Sequence, residues 1–251
     1  ADVFKRVIGI LIIMNSIVSQ EKKWLLAEKY DGVSTDEYEA ECKLLEQGMP
    51  VAYLIGNIEF LGCHIDLSAK PLIPRAETEY WVDLFIKQQK EKYSEVELRN
   101  LNILDIFAGS GCIGIACAAH LKSQVAIGEL QSQNIKQILQ NTSHNKCITN
   151  TELFQSDVFL SIPKKKYDFI LANPPYIDTT REEDVQSSVL DNEDHVALFA
   201  QEKGLSFIYQ LVNESSEYLK TGGEVWIEFD PWQTKLIDEY LKNKSEFIVI
   251  I

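Results

Sequence analysis

No apolar run in this 251-residue chain is long enough to cross a membrane. The best candidate, Val7 to Met14, is short and soon interrupted by polar residues, so no membrane partner is expected. A secretory leader and internal repeats are absent from the letters given. The chain opens on Ala1 rather than methionine, which suggests processing or trimming and would hide any targeting peptide. The five cysteines (Cys42, Cys63, Cys112, Cys117 and Cys147) are scattered and lack C-x-x-C spacing. With only four histidines, also scattered, no metal site is expected and free thiols are the plain reading. No Ser/His/Asp or Cys/His nucleophile arrangement stands out. Positive charge is scarce: 24 Lys and Arg face 38 Asp and Glu, a net charge of -14. Such a balance repels nucleic-acid backbones and suits a basic protein partner, so no stable nucleic-acid binding is expected. The basic run Lys164 to Lys166 reads as a solvated turn.

What is present reads as an α/β enzyme. Residues 1–49 look helical, and Ser34-Thr35-Asp36-Glu37 makes a plausible cap for a helix from Tyr38 to Gln47 that Gly48-Met49-Pro50 ends. Alternation from Val51 to Leu67 predicts two short strands in a hairpin. A proline-punctuated loop, Pro71 to Arg75, leads to a helix over 78–89, and a charged spacer covers Lys90 to Asn100. Strands are then expected over 101–106, 124–129, 151–155, 167–173, 223–229 and 246–251. Helices are expected between them over 112–121, 131–143, 204–219 and 231–243. That alternation implies a parallel sheet covered on both faces. The long acidic stretch from Tyr176 to Gly204 is of a length that is either disordered or functional, and its position favours a substrate-facing lid.

Chemistry gathers at the predicted strand ends. Asn173-Pro174-Pro175-Tyr176 follows the apolar strand Phe169 to Ala172, and the two prolines stop the ladder there. The Asn173 side-chain carbonyl, the Pro174 carbonyl and the flat Tyr176 ring would face one small volume. A planar NH2 group fits it, donating both hydrogens and lying against the ring. Alone, the four letters indicate a plain turn about as often as a site. A second motif shifts the balance: Asp105-Ile106-Phe107-Ala108-Gly109-Ser110-Gly111-Cys112-Ile113-Gly114 joins a strand to a helix. Its glycines match a dinucleotide pattern literally, although Phe107 fills the place of a first glycine. A carboxylate at Asp105 disfavours a phosphate and welcomes an ammonium, such as the amino-acid end of S-adenosylmethionine. Glu129 ends the next strand where ribose hydroxyls are usually held, and Asp157 with Val158 follows the third, near an adenine. Each acid singly is more often a solvated loop residue. The ordered series Asp105, Glu129, Asp157 and Asn173 is harder to reach by chance.

With these residues in hand, the chain resembles the HemK/PrmC family of glutamine methyltransferases that modify peptide-chain release factors. Gly48-Met49-Pro50-Val51-Ala52-Tyr53-Leu54-Ile55-Gly56 is similar to the family's hairpin entry. Leu72-Ile73-Pro74-Arg75-Ala76-Glu77-Thr78-Glu79 is the most family-specific match, and Ala197-Leu198 in the acidic stretch is also similar. Phe107 stands where glycine or a small residue is usual, Val158 where an aromatic is common, and Glu228 to Gln233 match only in part. The resemblance implies a Rossmann-like methyltransferase sheet (76–251), a helical docking domain (1–50) and a linking β-hairpin (51–75). It implies S-adenosyl-L-methionine as cofactor and a release factor's GGQ loop as partner, with the protein a monomer. Asn173, Pro174, Pro175 and Tyr176 would be catalytic. Asp105, Phe107, Ala108, Gly109, Ser110, Gly111, Glu129, Asp157, Val158 and Asn173 would hold the cofactor.

The turn at Phe107 to Ile113 and Trp81 look more similar to organellar, fungal-type members, which points to mitochondria. The acidic balance pulls toward the alternative, a bacterial cytoplasm. Two other functions fit the same letters: an adenine-amine methyltransferase on DNA or RNA, and a partner-binding scaffold that kept the fold without the activity.

Overall fold

The computed structural model describes residues 17–242 and Lys244. The strand expected at 246–251 and the first part of the helical reading, 1–16, lie outside the described residues. Helix α1 (17–30) and α2 (Asp36–Glu46) open the described chain. Thr35 caps α2 as expected, its hydroxyl accepting the Tyr38 N–H at 3.2 Å. The next segment corrects the hairpin reading. Val51–Ile55 is a short helix, α3, begun after Pro50 and ended by Gly56 at φ +90°. All five residues are apolar, so the run fits an alternating pattern as readily, while Val51, Leu54 and Ile55 fall at helical spacing. Leu54 joins Leu25 and Leu45 in a small core with Val51 and Ile55 packed against it, so the helical part runs to Ile55 rather than residue 50.

The hairpin is therefore shorter, with β1 (Asn57–Phe60) antiparallel to β2 (Cys63–Asp66) around Leu61 and Gly62, both at positive φ. Then follow α4 (Ala76–Lys92) and α5 (Glu95–Asn100). The expected charged spacer is largely the second of these helices, started by a reciprocal Ser94–Glu97 capping box. The remaining elements are β3 (Asn102–Ile106), α6 (Cys112–Leu121), β4 (Gln124–Glu129), α7 (Ser132–His144), β5 (Thr151–Gln155) and β6 (Tyr167–Ala172). The acidic stretch folds into short pieces. Strand β7 (Ile177–Asp178) pairs with β8 (Phe199–Ala200), enclosing α8 (Ser187–Asn192) and α9 (His195–Leu198). A turn labelled α10 (Gln201–Gly204) leads to α11 (Ser206–Glu214), β9 (Leu219–Ile227) and α12 (Thr234–Leu241). The helix expected over 204–219 thus ends early and the last described strand starts earlier than 223.

Among the described residues, five strands form one parallel sheet in the order β5-β4-β3-β6-β9. Successive residues bury on opposite faces, as a pleated strand requires. Ile103, Phe169 and Leu171 pack with α4 and α6, while Leu104, Ile106, Ile170 and Ala172 pack with Phe159, Ile162, Leu211 and Tyr218. Helix α6 is apolar around its circumference because the sheet and neighbouring helices enclose it. The hairpin is tied down by amides one turn apart, at the end of α7 and on the residue that caps it. Asn141 and Asn145 bond the backbone N–H and C=O of Asp66 and His64, imitating a neighbouring strand. All five cysteines are free and buried. Strand order reverses between β3 and β6, and a crevice for ligands belongs at the carboxyl ends of those two strands.

Candidate active site

Register puts the predicted residues at one sheet edge. Ile106 pairs with both Gly128 and Ala172, and Ala172 pairs with Ile227. Phe107, Glu129, Asn173 and Glu228 therefore follow at the same level. The glycine turn joins β3 to α6, and Gly114 lets the helix close on the sheet. A Cβ there would lie 2.9 Å from Asp105 Oδ2. The Gly114 N–H donates to that oxygen at 2.8 Å. Asp105 is fully buried and lines neither cleft described below. Asp105 is seated as a strut beneath the turn, on the α6 side of β3, rather than in the wall of either cleft. Burial pushes its carboxyl up to about 7, the neighbouring Glu129 charge adding to the effect against the Gly114 bond. Gly111 stands on the helix side of the turn. At φ +80° it faces α7, where an added Cβ would meet Ile138 at 3.0 Å, and it lines neither cleft.

A first cleft of about 990 Å3, its open mouth included, lies over the turn. Phe107, Ala108, Gly109, Ser110, Glu129, Asp157, Val158, Asn173 and Pro175 line it. Phe107 does not stopper this space. Its backbone sits at φ +62°, a left-handed conformation that explains why glycine would suit the position. Its ring packs edge-on against Phe207 of α11, centroids 5.3 Å apart, and forms a wall. Val158 is also left-handed at φ +45°, rare for a β-branched residue and the kind of strain that collects at ligand sites. Glu129 shapes the turn. Its Oε2 accepts the Gly109 N–H at 2.8 Å, and its Oε1 accepts the Gln131 N–H at 2.9 Å. Burial raises its pKa. Two buried polar atoms here lack partners: Ser110 Oγ and Asn134 Oδ1. A ligand with hydroxyl and amino groups would satisfy them, and apolar Phe107, Leu130 and Val158 would cover its rings.

A second cleft of similar size adjoins it, lined by Pro174, Tyr176, Arg181, Asp184, Glu228, Asp230 and Trp232 among others. The two share Leu72, Arg75, Asn173 and Ala197. Asn173 thus stands where they meet. Its Nδ2 donates to Thr78 Oγ1 at 3.2 Å. Among the described residues no hydrogen bond reaches the Pro174 carbonyl. The Tyr176 hydroxyl donates to Glu228 Oε1 at 3.2 Å, and Gln233 Nε2 donates to the Tyr176 carbonyl at 2.9 Å. Burial, and then the Glu228 charge, holds the Tyr176 phenol protonated well above its ordinary range.

The acidic stretch covers the junction. Asp194, Val196 and Ala197 reach the first cleft, and Val185, Val189 and Leu198 reach the second. Buried Glu193 binds Arg75, Gln131 binds Asp194, and Asn192 Nδ2 donates to the Gly48 carbonyl at 3.2 Å.

Comparison with known proteins agrees with this geometry. The family model described as Methyltransferase small domain matches residues 84–196. The release factor glutamine methyltransferase of Streptococcus pneumoniae is 30% identical over 236 residues, covering 93% of this chain and 76% of that protein. This chain belongs to the HemK/PrmC family. The Fusobacterium nucleatum release factor glutamine methyltransferase is 35% identical over 204 residues, 80% of this chain and 56% of that protein. The N-terminal domain of human METTL16 in complex with SAH shares the Rossmann-like fold. Its TM-score is 0.51 at 19% identity, over 73% of this chain and 67% of that one. The protein is an S-adenosylmethionine-dependent methyltransferase.

In this family member, the expected cofactor residues other than Asp105 and Gly111 line one cleft, while Pro174 and Tyr176 belong to the other. Residues without an expected role also line the site: Thr78 and Arg75 from the start of α4, Asn134 on α7, Phe207 and Glu228. Glu228 carried a readable signal. It is the acid that directly follows the apolar run Val225-Trp226-Ile227 at the end of β9, as Glu129 closes β4.

Proposed function

We propose that this protein methylates the side-chain amide nitrogen of the glutamine in the GGQ loop of a peptide-chain release factor. The observation that carries this reading is the meeting of two clefts at Asn173, whose Nδ2 is held by Thr78 so that Oδ1 is free to accept. S-adenosylmethionine would occupy the first cleft, held at Gly109 to Ser110, Glu129, Asn134 and Asp157. When bound it supplies an electrophilic sulfonium methyl. The substrate amide would enter the second cleft.

An amide nitrogen is a poor nucleophile because its lone pair is conjugated with the carbonyl. Tyr176 stays protonated, and the neighbouring Glu228 carboxylate is already engaged by Thr78, Trp81 and Tyr176. The site would therefore work by orientation and electrostatics. Asn173 Oδ1 and the Pro174 carbonyl would accept the two amide hydrogens, aim the nitrogen and stabilise positive charge as it grows. As the N–CH3 bond forms the S–CH3 bond breaks, its electron pair staying on the departing thioether, and one nitrogen proton passes to solvent. Tyr176, fixed at its hydroxyl by Glu228 and at its carbonyl by Gln233, flanks the planar group and keeps water away. Orientation of this kind supplies roughly 7–11 kcal/mol. Each fixed acceptor adds about 2.7–4 kcal/mol if comparable to an oxyanion-hole donor.

A nucleic-acid substrate fits less well. Both arginines of the second cleft are already paired, Arg75 with Glu193 and Arg181 with Asp184, beside further acids Asp178, Glu228 and Asp230. A phosphate track needs free cations. The test is incubation with labelled S-adenosylmethionine and a panel of release factors, followed by mass spectrometry. One methyl group on the GGQ glutamine is expected. Methyl incorporated at another residue, or into none of the panel, would overturn the reading.

A further inference from the structure

Three donors converge on the carboxylate of Glu228. Thr78 Oγ1 lies 2.7 Å and Trp81 Nε1 2.9 Å from Oε2, while the Tyr176 hydroxyl lies 3.2 Å from Oε1. The Glu228 main chain is itself anchored, its N–H donating to the Ala172 carbonyl at 2.9 Å, so the acid sits one strand over from Asn173. A carboxylate only accepts and an indole N–H only donates, so Thr78 must give its single hydroxyl proton to Glu228. The threonine oxygen is then left with lone pairs alone. Asn173 sits 3.2 Å from that oxygen and can approach it only with its NH2 end. Its carbonyl end is turned toward the cleft junction.

We infer that Glu228 is a positioning residue: through the buried hydroxyl of Thr78 it dictates which way round the Asn173 amide sits, and through Tyr176 it fixes the facing ring. The order of protons in this chain decides whether the junction offers an acceptor or a donor to the incoming group. With the amide reversed, Asn173 would present hydrogens to an NH2 substrate, and the two would repel. The chemical class admitted is thereby narrowed to planar groups that donate at this point, meaning primary amides or aromatic amines rather than carboxylates or bare carbonyls. The inference rests on the proposed reaction for its consequence in turnover, but the proton order stands on the hydrogen bonds alone.

Two measurements test it. In Thr78→Val the shape is kept and the oxygen is lost. Turnover on release factor is expected to fall by roughly tenfold or more, with KM for the release factor little changed, and Thr78→Ser is expected to recover most of the loss. Glu228→Gln, which lets the chain of protons run either way, is expected to lower kcat to a smaller extent. Separately, the Asn173 side-chain NH2 resonances are assigned by their disappearance in Asn173→Asp. Their exchange with water is expected to be slow in the unmodified protein and roughly tenfold faster in Thr78→Val. Unchanged cross-peaks elsewhere in the same spectra verify that the variant is folded. Equal NH2 exchange in Thr78→Val and parent would overturn the proton order, and equal kcat would overturn the positioning role. If the unmodified protein methylates no release factor, the proposed substrate falls while the exchange measurement still decides the inference.

Discussion

At the scale of single residues, the site depends on atoms whose hydrogen bonds are already assigned by their neighbours. Asn173 is the clearest case, because Thr78 occupies its NH2 end and leaves one acceptor for the substrate. Asn173→Ala is expected to abolish methyl transfer while S-adenosylmethionine still binds within roughly tenfold, a loss of about 1.4 kcal/mol, measured by calorimetry beside the transfer assay. Activity equal to the parent would remove Asn173 from catalysis. Asp105 acts differently. Its carboxyl is buried and its pKa is raised to about 7, with Oδ1 unpartnered. Between the ordinary carboxylate range and about pH 7, the folded protein therefore holds a proton that the unfolded chain releases. Stability contributed by this group is full at low pH and is lost as pH rises through that window. Glu129, also raised by burial, acts in the same direction. Denaturant unfolding from pH 4 to 8 should show the decline flattened in Asp105→Asn, and an unchanged slope would contradict the assignment.

At the scale of elements, the turn, the lid and the end of β9 make the two clefts. The lid is held by buried Glu193 against Arg75, whose side chain keeps 35% of its surface exposed. Arg75→Met leaves that carboxylate short of a partner, and should loosen residues 177–204 by about 1–3 kcal/mol locally. Hydrogen exchange across the lid checks this, and protection unchanged from the parent would show that the pair does not hold it. Much of this layer was legible in the sequence. Short apolar runs bounded by polar residues and turns marked β3, β4 and β6 because a strand buried on both faces reads that way, while β5, at the sheet edge and only half-buried, showed little beyond Leu153-Phe154. Asn173 and Glu129 were found because each follows such a run. The seat of Asp105 is not legible there, because a motif shows nearness to the turn but not which face of the strand a side chain takes. Its alternation with Ile103 sets it on the α6 side. Val51–Ile55 was misread because five residues fit both periods. Glu228 lies about fifty residues beyond Asn173, and only the β6–β9 register brings them together.

At the scale of the whole molecule, charge and topology act together. The strand order reverses between β3 and β6, so both clefts open at one sheet edge, and the chain carries a net charge of -14. A basic loop of a protein partner is drawn toward such a surface, whereas a polyanion is repelled. The protein should therefore pass a heparin column without retention at low salt, and salt-dependent retention would favour the adenine-amine alternative. In the proposed reaction a substrate NH2 is gripped where the clefts meet. That grip is tested most directly by a crystal structure with S-adenosylhomocysteine and a GGQ peptide. The glutamine Nε2 is expected within about 2.6–3.2 Å of both Asn173 Oδ1 and the Pro174 carbonyl. A glutamine bound elsewhere, or an Asn173 that turns its NH2 toward it, would contradict the account.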